Sequence, residues 1–161
     1  DAPLGDRTKW KPSFPEGLTD YTVELGKGRI VCEGNQVTVV SYGRTLPLCV
    51  QAAQALAAEG ISAEVIDLRS LWPYDWELIA GSIRRTKRVV FVNEDTEVTN
   101  FGEHLIRRTI DELFYELEAR PRLVAGEFIP GVGLADPLEM ASVPQLPGIT
   151  QAIREVAAEQ A

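Results

Sequence analysis

Three carboxylates stand close together in "NEDTE", residues 93–97, directly after a run of apolar residues. Carboxylates such as Glu94, Asp95 and Glu97 hold divalent cations or act in general acid–base catalysis. Functional residues of open parallel sheets often follow the carboxyl ends of strands. The spacing lacks the alternating oxygens and central glycine of a calcium loop, so a solvated loop is the alternative interpretation. Asn93, Glu94 and Asp95 are therefore candidate site residues.

A second charged stretch, "VIDLRSLWPYD" (65–75), also follows an apolar run. The proline at 73 biases Trp72 away from the helical region, and Asp75 is suited to cap the next helix. Trp72 and Trp76 are predicted to cover the seam between that helix and the sheet. This stretch is therefore interpreted as a strand–loop–helix connection and not as an active site.

Three other features of the sequence are weaker indications of a functional site. "GVGLAD" (131–136) begins like a dinucleotide-binding fingerprint but lacks its third glycine and opens no clear helix, which leaves Asp136 as a loop candidate only. "NFG" (100–102) offers helix-terminal amides to an anion, whereas Asn100 as a helix N-cap is the alternative. His104 is the single histidine, so a His-rich metal site is excluded, and it is predicted to be structural or on the surface.

The composition narrows the class of protein. The chain has 161 residues with 45% hydrophobic residues, which suits one domain with a real core. Its net charge of -8 argues against a nucleic-acid or anionic-membrane surface. No apolar run approaches the roughly 18 residues of a membrane span, and no secretory signal begins the sequence. Cys32 and Cys49 fit a reduced compartment without a disulfide framework, with Cys49 as a small core residue.

The candidate residues are positioned by alternating strands and helices. Residues 1–20, rich in Pro and Gly, are predicted to be an extended arm or linker, and 21–161 one domain. The segments 21–25 and 29–32 are predicted to form an edge hairpin, and 128–147 to be irregular. The hydrophobic periodicity predicts strands at 36–42, 62–68, 88–94 and 120–127, and helices at 45–59, 75–85, 101–118 and 148–158. This alternation indicates an α/β fold with a mostly parallel sheet and helices on both faces.

The sequence makes specific predictions for residues at two helix ends. Thr45 is predicted to cap the helix that follows it. Glu118 would lie at the carboxyl end of the 101–118 helix, where the macrodipole disfavours negative charge. An unfavourable carboxylate at that point hints at a cationic partner.

Taken in order, several segments resemble the C-terminal transketolase-like domain of the β subunit of 2-oxo acid dehydrogenase complexes. The matching pieces are "VELGKGRIVCEGNQVTVVSYG" (23–43), "AEVIDLRSLWPYDWELIAGSIRRTKRVVFVNED" (63–95), "FGEHL" (101–105), "LEARPRLVAGEFIP" (117–130) and "ASVPQLPGITQAI" (141–153). The chain departs from this family at 93–95, where family members commonly carry a His-Glu or similar acidic motif, and at 130–139, where a Pro-x-Pro-Tyr loop is usual.

The resemblance implies a three-layer α/β/α sandwich with a mostly parallel five-stranded sheet. It implies a whole enzyme that uses thiamine diphosphate and Mg²⁺, bound by other domains, to decarboxylate pyruvate or a branched-chain 2-oxo acid oxidatively. The acyl group would pass to lipoyl-lysine. This segment would hold no catalytic, cofactor-binding or metal-binding residue, would be inactive alone, and would belong to an oligomer in the bacterial cytoplasm or the mitochondrial matrix.

The resemblance also implies a docking role. In some members, an acidic residue of a Leu-Asp-Ala-Pro segment and the C-terminal carboxylate of the β subunit bind the subunit-binding domain of the lipoyl acyltransferase. Glu118, in "LEARP", is the matching position, and Arg120 is expected to lie nearby. Two alternatives remain: the same domain of another transketolase-like thiamine enzyme, and a stand-alone flavodoxin-like binding module.

Overall fold

The structure is a computed structural model that describes Gly17 and residues 21–159. Apart from Gly17, the predicted arm lies outside the described residues. The elements in chain order are β1 (Arg29–Cys32), β2 (Val37–Ser41), α1 (Thr45–Ala57), β3 (Ala63–Asp67), α2 (Trp76–Thr86), β4 (Val89–Thr96), α3 (Phe101–Leu113), β5 (Arg122–Gly126), α4 (Asp136–Ser142) and α5 (Leu146–Ala158).

The five strands form one sheet in the order β1-β3-β2-β4-β5. Strands β3, β2, β4 and β5 are parallel, whereas β1 runs antiparallel at the edge beside β3. The β-branched runs of β2 and β3 are buried almost throughout because helices cover both faces of the sheet. The predicted mostly parallel five-stranded sheet is confirmed.

Two hydrophobic cores make the fold three-layered. On β4, Val90 and Val92 point to the core formed with α1 and α5. Val89 and Phe91 point to the opposite core, formed with α2 and α3. This alternation follows from the two-residue period of a strand. The predicted α/β/α sandwich is confirmed.

The predicted edge hairpin is wrong. Residues 21–25 form no strand, and β1 pairs with β3 instead. The segment before β1 is bonded to the connection after β3: the Gly26 amide donates to Ser70 Oγ at 2.9 Å and the Gly28 amide to Asp75 Oδ2 at 3.3 Å. These long-range bonds occupy amides that a hairpin would use.

The predicted helix 101–118 is too long. Helix α3 ends at Leu113, a 3₁₀ turn spans Phe114–Glu116, and Leu117 is extended. The amide of Glu118 donates to the Lys87 carbonyl oxygen at 2.9 Å, so a tertiary bond directs the chain away from the helical path. Helix α4 lies in the stretch predicted to be irregular.

Two side-chain predictions also need correction. Thr45 is the first residue of α1 and not its N-cap, which is Arg44; the Thr45 Oγ1 lies 2.8 Å from Ser41 Oγ. Trp76 is buried at the helix–sheet seam as predicted, but Trp72 is 78% exposed. Trp72 belongs to the connection that precedes the helix, so its ring faces outward.

The sheet also buries polar groups that the sequence pattern did not reveal. Thr38 Oγ1 lies 2.6 Å from Ser82 Oγ and 2.7 Å from Thr86 Oγ1, which joins β2 to α2. Glu64 is buried, and both of its carboxylate oxygens accept from Arg85 Nη2 at 2.6 and 2.7 Å. Because each buried group has a partner, these residues are compatible with the core.

Candidate functional site

The strand order creates a crevice at the carboxyl end of the sheet. The chain leaves β2 toward β3 on one side and later returns to β4 on the other, so the connections diverge above β2 and β4. Ligands of open α/β sheets bind at such a point. A crevice of about 720 Å³ lies here, and its lining residues are Tyr42, Arg44, Leu71, Glu94, Asp95, Val132, Glu139 and Val143.

The crevice has an acidic character. Arg44 lies 3.8 Å from a carboxylate oxygen of Glu94 and 3.8 Å from one of Glu139, and so links β4 to α4. Burial raises the pKa of Tyr42, and the charges of Asp95 and Glu94 raise it further, which keeps the phenol protonated. With three carboxylates and one guanidinium in its lining, the crevice favours a cationic group over an anionic one.

Asn93, which precedes the crevice residue Glu94, and Asn100 are both buried. Asn93 Nδ2 donates to Asn100 Oδ1 at 3.1 Å, and Asn100 Nδ2 donates to the Thr96 carbonyl oxygen at 2.7 Å. Asn100 Oδ1 also accepts from the Glu103 amide at 3.1 Å, which confirms Asn100 as the N-cap of α3. The two amides hold the β4–α3 turn together.

Gly102 is required for this arrangement. A Cβ added there would lie 2.7 Å from Asn93 Nδ2 and 2.8 Å from Asn100 Oδ1. The "NFG" stretch therefore has a packing explanation that needs no bound anion.

Of the remaining candidate site residues in loops, some line the crevice and one does not. Glu94 and Asp95 line the crevice, together with Glu139, whereas Asp136 is exposed at the start of α4 and is not part of the lining. Sequence reasoning missed Tyr42, Arg44 and Glu139. The available signal was that Tyr42 and Arg44 follow the first core strand, whose carboxyl end adjoins that of β4.

The stretch 65–75 confirms its interpretation as a connection. Asp75 Oδ1 accepts from the Leu78 amide at 3.3 Å and so caps α2. Asp67 Oδ1 accepts from the Arg69 amide at 3.1 Å within the turn.

Glu118 lies at the opposite, amino end of the sheet, beside the start of β4. Its carboxylate accepts from Lys87 Nζ and from Arg88 Nη1, each at 2.7 Å. The hydrogen bonds from Lys87 and then Arg88 lower the pKa of Glu118, so it is ionised at neutral pH. The helix-dipole reason for expecting a cationic partner is wrong, because α3 ends at Leu113 and the charge is balanced within the chain.

Arg120 is connected to Glu118 only indirectly, through Glu159 and Arg88. Its Nε donates to Glu159 Oε1 at 3.1 Å, and Arg88 Nη2 donates to the Glu159 carbonyl oxygen at 3.2 Å. Arg88 therefore joins Glu118 to Glu159, and Glu159 joins Arg88 to Arg120.

An exposed aromatic pair adjoins Glu118. Phe114 and Tyr115 form an edge-to-face pair with ring centroids 5.2 Å apart, and Tyr115 is 97% exposed. Both stand on the 3₁₀ turn that precedes Glu118 by a few residues, so rings and carboxylate share one short segment.

Within the described part of the chain, no group of three or more His, Cys, Asp or Glu side chains is arranged to hold a metal ion. Among the same residues, every helix is too short or too polar to cross a bilayer.

Comparisons with known proteins place this geometry in a family. The model of the transketolase C-terminal domain matches residues 26–149. The mitochondrial pyruvate dehydrogenase E1 component subunit beta of Dictyostelium discoideum is 35% identical over 92% of this chain and 41% of its own length. The 2-oxoisovalerate dehydrogenase subunit beta of Pseudomonas aeruginosa is 42% identical over 78% of this chain and 35% of its own length.

A solved structure agrees with these matches. A split-gene transketolase, described as an inactive "beta4 tetramer", superposes with a TM-score of 0.76 and 27% identity, over 88% of this chain and 46% of the other. The chain thus spans less than half the length of these relatives. Because the family model covers most of its residues, the chain belongs to the transketolase C-terminal domain family, and its relatives include β subunits of 2-oxo acid dehydrogenases.

Proposed function

We propose that this chain is the assembly and acyltransferase-docking domain of a 2-oxo acid dehydrogenase β subunit. The whole enzyme would decarboxylate pyruvate or a branched-chain 2-oxo acid oxidatively and transfer the acyl group to lipoyl-lysine. The relatives that support this class are named as pyruvate and 2-oxoisovalerate dehydrogenase subunits. The observation that supports the docking role is the ionised, partly exposed carboxylate of Glu118.

Docking at Glu118 has to accommodate the two ion pairs that its carboxylate already forms. Lys87 and Arg88 already occupy the carboxylate, so a partner cation must add to it or displace one of them. Lys87 is the one to leave: its side chain is 48% exposed, whereas that of Arg88 is 21% exposed and is also bonded to Glu159. A lysine or arginine of the acyltransferase would then take the place of Lys87, with Phe114 and Tyr115 as an apolar anchor beside it.

Calorimetry with the subunit-binding domain of the acyltransferase tests this exchange. Glu118→Gln should weaken binding, because it removes the charge that the partner recognises. Lys87→Met should strengthen binding, because it frees the carboxylate. Arg120→Gln should have a smaller effect, since Arg120 contacts Glu159 and not Glu118.

The matched control is Glu59→Gln. Glu59 is also an exposed carboxylate in an in-chain ion pair, with Arg154 at 2.9 and 2.8 Å. Unchanged affinity for Glu118→Gln, or an equal loss for Glu59→Gln, would contradict docking at Glu118. Opposite signs for Glu118→Gln and Lys87→Met are the specific signature of the exchange.

The whole enzyme would use thiamine diphosphate, which would supply the electron sink for decarboxylation, and Mg²⁺, which would bind the diphosphate of that cofactor. One feature supports placing these groups elsewhere: the loop after β2, "SYGRTLP", is a poor phosphate-binding loop, because it has one glycine and Pro47 removes an amide that a phosphate would need. We therefore place both groups on other domains. This chain with added thiamine diphosphate and Mg²⁺ should not decarboxylate 2-oxo acids, and turnover above background would contradict that assignment.

A second candidate is the same domain of a transketolase, which the similarity to the split-gene enzyme favours. Assays of the full-length enzyme separate the two functions. Decarboxylation of pyruvate or 2-oxoisovalerate with a lipoyl acceptor supports the first, and ketol transfer between sugar phosphates supports the second. For a dehydrogenase we propose residence in the cytoplasm of a bacterium or in the mitochondrial matrix, because its relatives include a mitochondrial protein and a bacterial one.

A further inference from the structure

The carboxyl end of the sheet carries an unusual amount of exposed apolar surface. Trp72 is 78% exposed beside Leu71, and Leu134 is fully exposed beside Val132 and Leu138. Leu71 and Val132 belong to two different connections but line the same crevice, so apolar residues of both connections meet there. Contiguous apolar patches on soluble domains mark interaction sites.

Acidic side chains stand within this apolar area. Glu94, Asp95 and Glu139 line the crevice, and Arg44 is the cationic residue of its lining. The sequence reinforces this sign, because residues 126–153 contain three carboxylates and no Lys or Arg. We call the area formed by Leu71, Trp72, Glu94, Asp95, Val132 and Glu139 the carboxyl-end surface.

The sign of the charge selects the occupant. In a two-fold dimer formed through this surface, the same patch would face itself and its carboxylates would face one another. Like charges across an interface oppose association. A small ligand confined to the crevice would leave Trp72 and Leu134 uncovered, since neither is part of its lining.

We propose that the carboxyl-end surface is a docking face for a different protein chain, whose contact surface carries Lys or Arg among apolar residues. The apolar residues of the partner cover Trp72 and Leu134, and its cations enter the crevice toward Asp95 and Glu139. Arg44 holds Glu94 and Glu139 near each other at the centre. The proposal is independent of docking at Glu118, which lies at the other end of β4.

Binding of designed peptides to the isotope-labelled chain, followed by NMR, tests this proposal. One probe is an amphipathic helical peptide of Leu and Lys, and the other is the same peptide with every Lys replaced by Glu. The Lys peptide should bind, with shift changes centred on 71–72, 94–95 and 130–139, and more weakly as salt is raised. The Glu peptide should not bind.

Variants of the chain separate the apolar contribution to peptide binding from the acidic one. Trp72→Ser or Leu134→Ser should weaken binding of the Lys peptide at least about tenfold, as expected for an exposed apolar anchor. Combined Glu94→Gln, Asp95→Asn and Glu139→Gln should remove the preference for Lys over Glu. Combined Glu33→Gln, Glu59→Gln and Glu155→Gln, three exposed carboxylates elsewhere, should retain it.

Three results would overturn the proposal. The first is equal binding of both peptides, and the second is shift changes centred on Glu118 or spread evenly over the acidic surface. The third is concentration-dependent dimerisation in sedimentation that Trp72→Ser abolishes, which would assign the surface to a second copy of this chain. Loss of docking at Glu118 with binding at the carboxyl-end surface retained would leave this proposal standing.

Discussion

Replacing Asn100 with Ala should destabilise the β4–α3 turn strongly for a single amide. Asn100 Oδ1 accepts from the Glu103 amide and from Asn93 Nδ2, and its own Nδ2 donates to the Thr96 carbonyl oxygen. Alanine removes all three bonds at a position that is 5% exposed. Water cannot easily replace the lost partners at such a buried position.

The magnitude follows from two separate losses. Removing an N-cap costs about 1 kcal/mol of unfolding free energy. Leaving the buried Asn93 amide without its acceptor costs about 1–3 kcal/mol, and Asn93 Oδ1 already has no hydrogen-bond partner among the described residues. We therefore expect Asn100→Ala to lower the free energy of unfolding by about 2–4 kcal/mol. Asn100→Ser should recover about 1 kcal/mol, because serine can cap the helix.

Urea unfolding at equilibrium measures these values, with Asn35→Ala as the control at an exposed asparagine. Adding Asn93→Ala completes a double-mutant cycle, in which the coupling between Asn93 and Asn100 should be about 1 kcal/mol. A loss below about 0.5 kcal/mol for Asn100→Ala would refute the reasoning, since surface substitutions lie in that range. Strict additivity in the cycle would refute the bond between the two amides.

Two further predictions concern titrating groups. Burial raises the pKa of the Cys49 thiol to about 12. Iodoacetamide should therefore label Cys32 and spare Cys49 in the native chain, and it should label both after denaturation. Equal labelling rates in the native chain would contradict this prediction. Burial, followed by the charges of Arg107 and Arg108, lowers the pKa of His104, so NMR titration should place it below about 6.5. Because the folded state prefers the neutral imidazole, this contribution to stability is complete above about pH 6.5 and is lost as the pH falls through the folded-state pKa. A pKa of His104 above about 6.5 would show that the surrounding charges are misjudged.

The long apolar runs and the helical stripes of apolar residues predicted most of the fold. Buried strands and amphipathic helices differ clearly in the spacing of their apolar residues, so the two patterns could be told apart. Strands β2, β3 and β4 and helices α1, α2 and α5 lie close to their expected positions. The errors fall where one long-range bond decides the local conformation. The Glu118 amide bonds to the Lys87 carbonyl and ends the predicted helix early, and the Gly26 and Gly28 amides bond to the β3–α2 connection in place of a hairpin partner.

The candidate site was predictable only in part. Glu94 and Asp95 could be found because they follow a buried strand, and Asp75 and Asn100 because a helix start has a local chemical requirement. Arg44 and Glu139 join the same crevice from segments far apart in sequence. Neither carries a local pattern that distinguishes it from an ordinary surface residue.

By itself, the sequence determined the three-layer architecture and the family, because both depend on patterns and motifs that lie along the chain. The tertiary structure alone decided which charges meet. It pairs Glu118 with Lys87 and Arg88, and it gathers Glu94, Asp95 and Glu139 in one crevice with Leu71 and Val132. The physical reason is that electrostatic and apolar contacts depend on distance in space, and the crossover at β2 and β4 sets those distances.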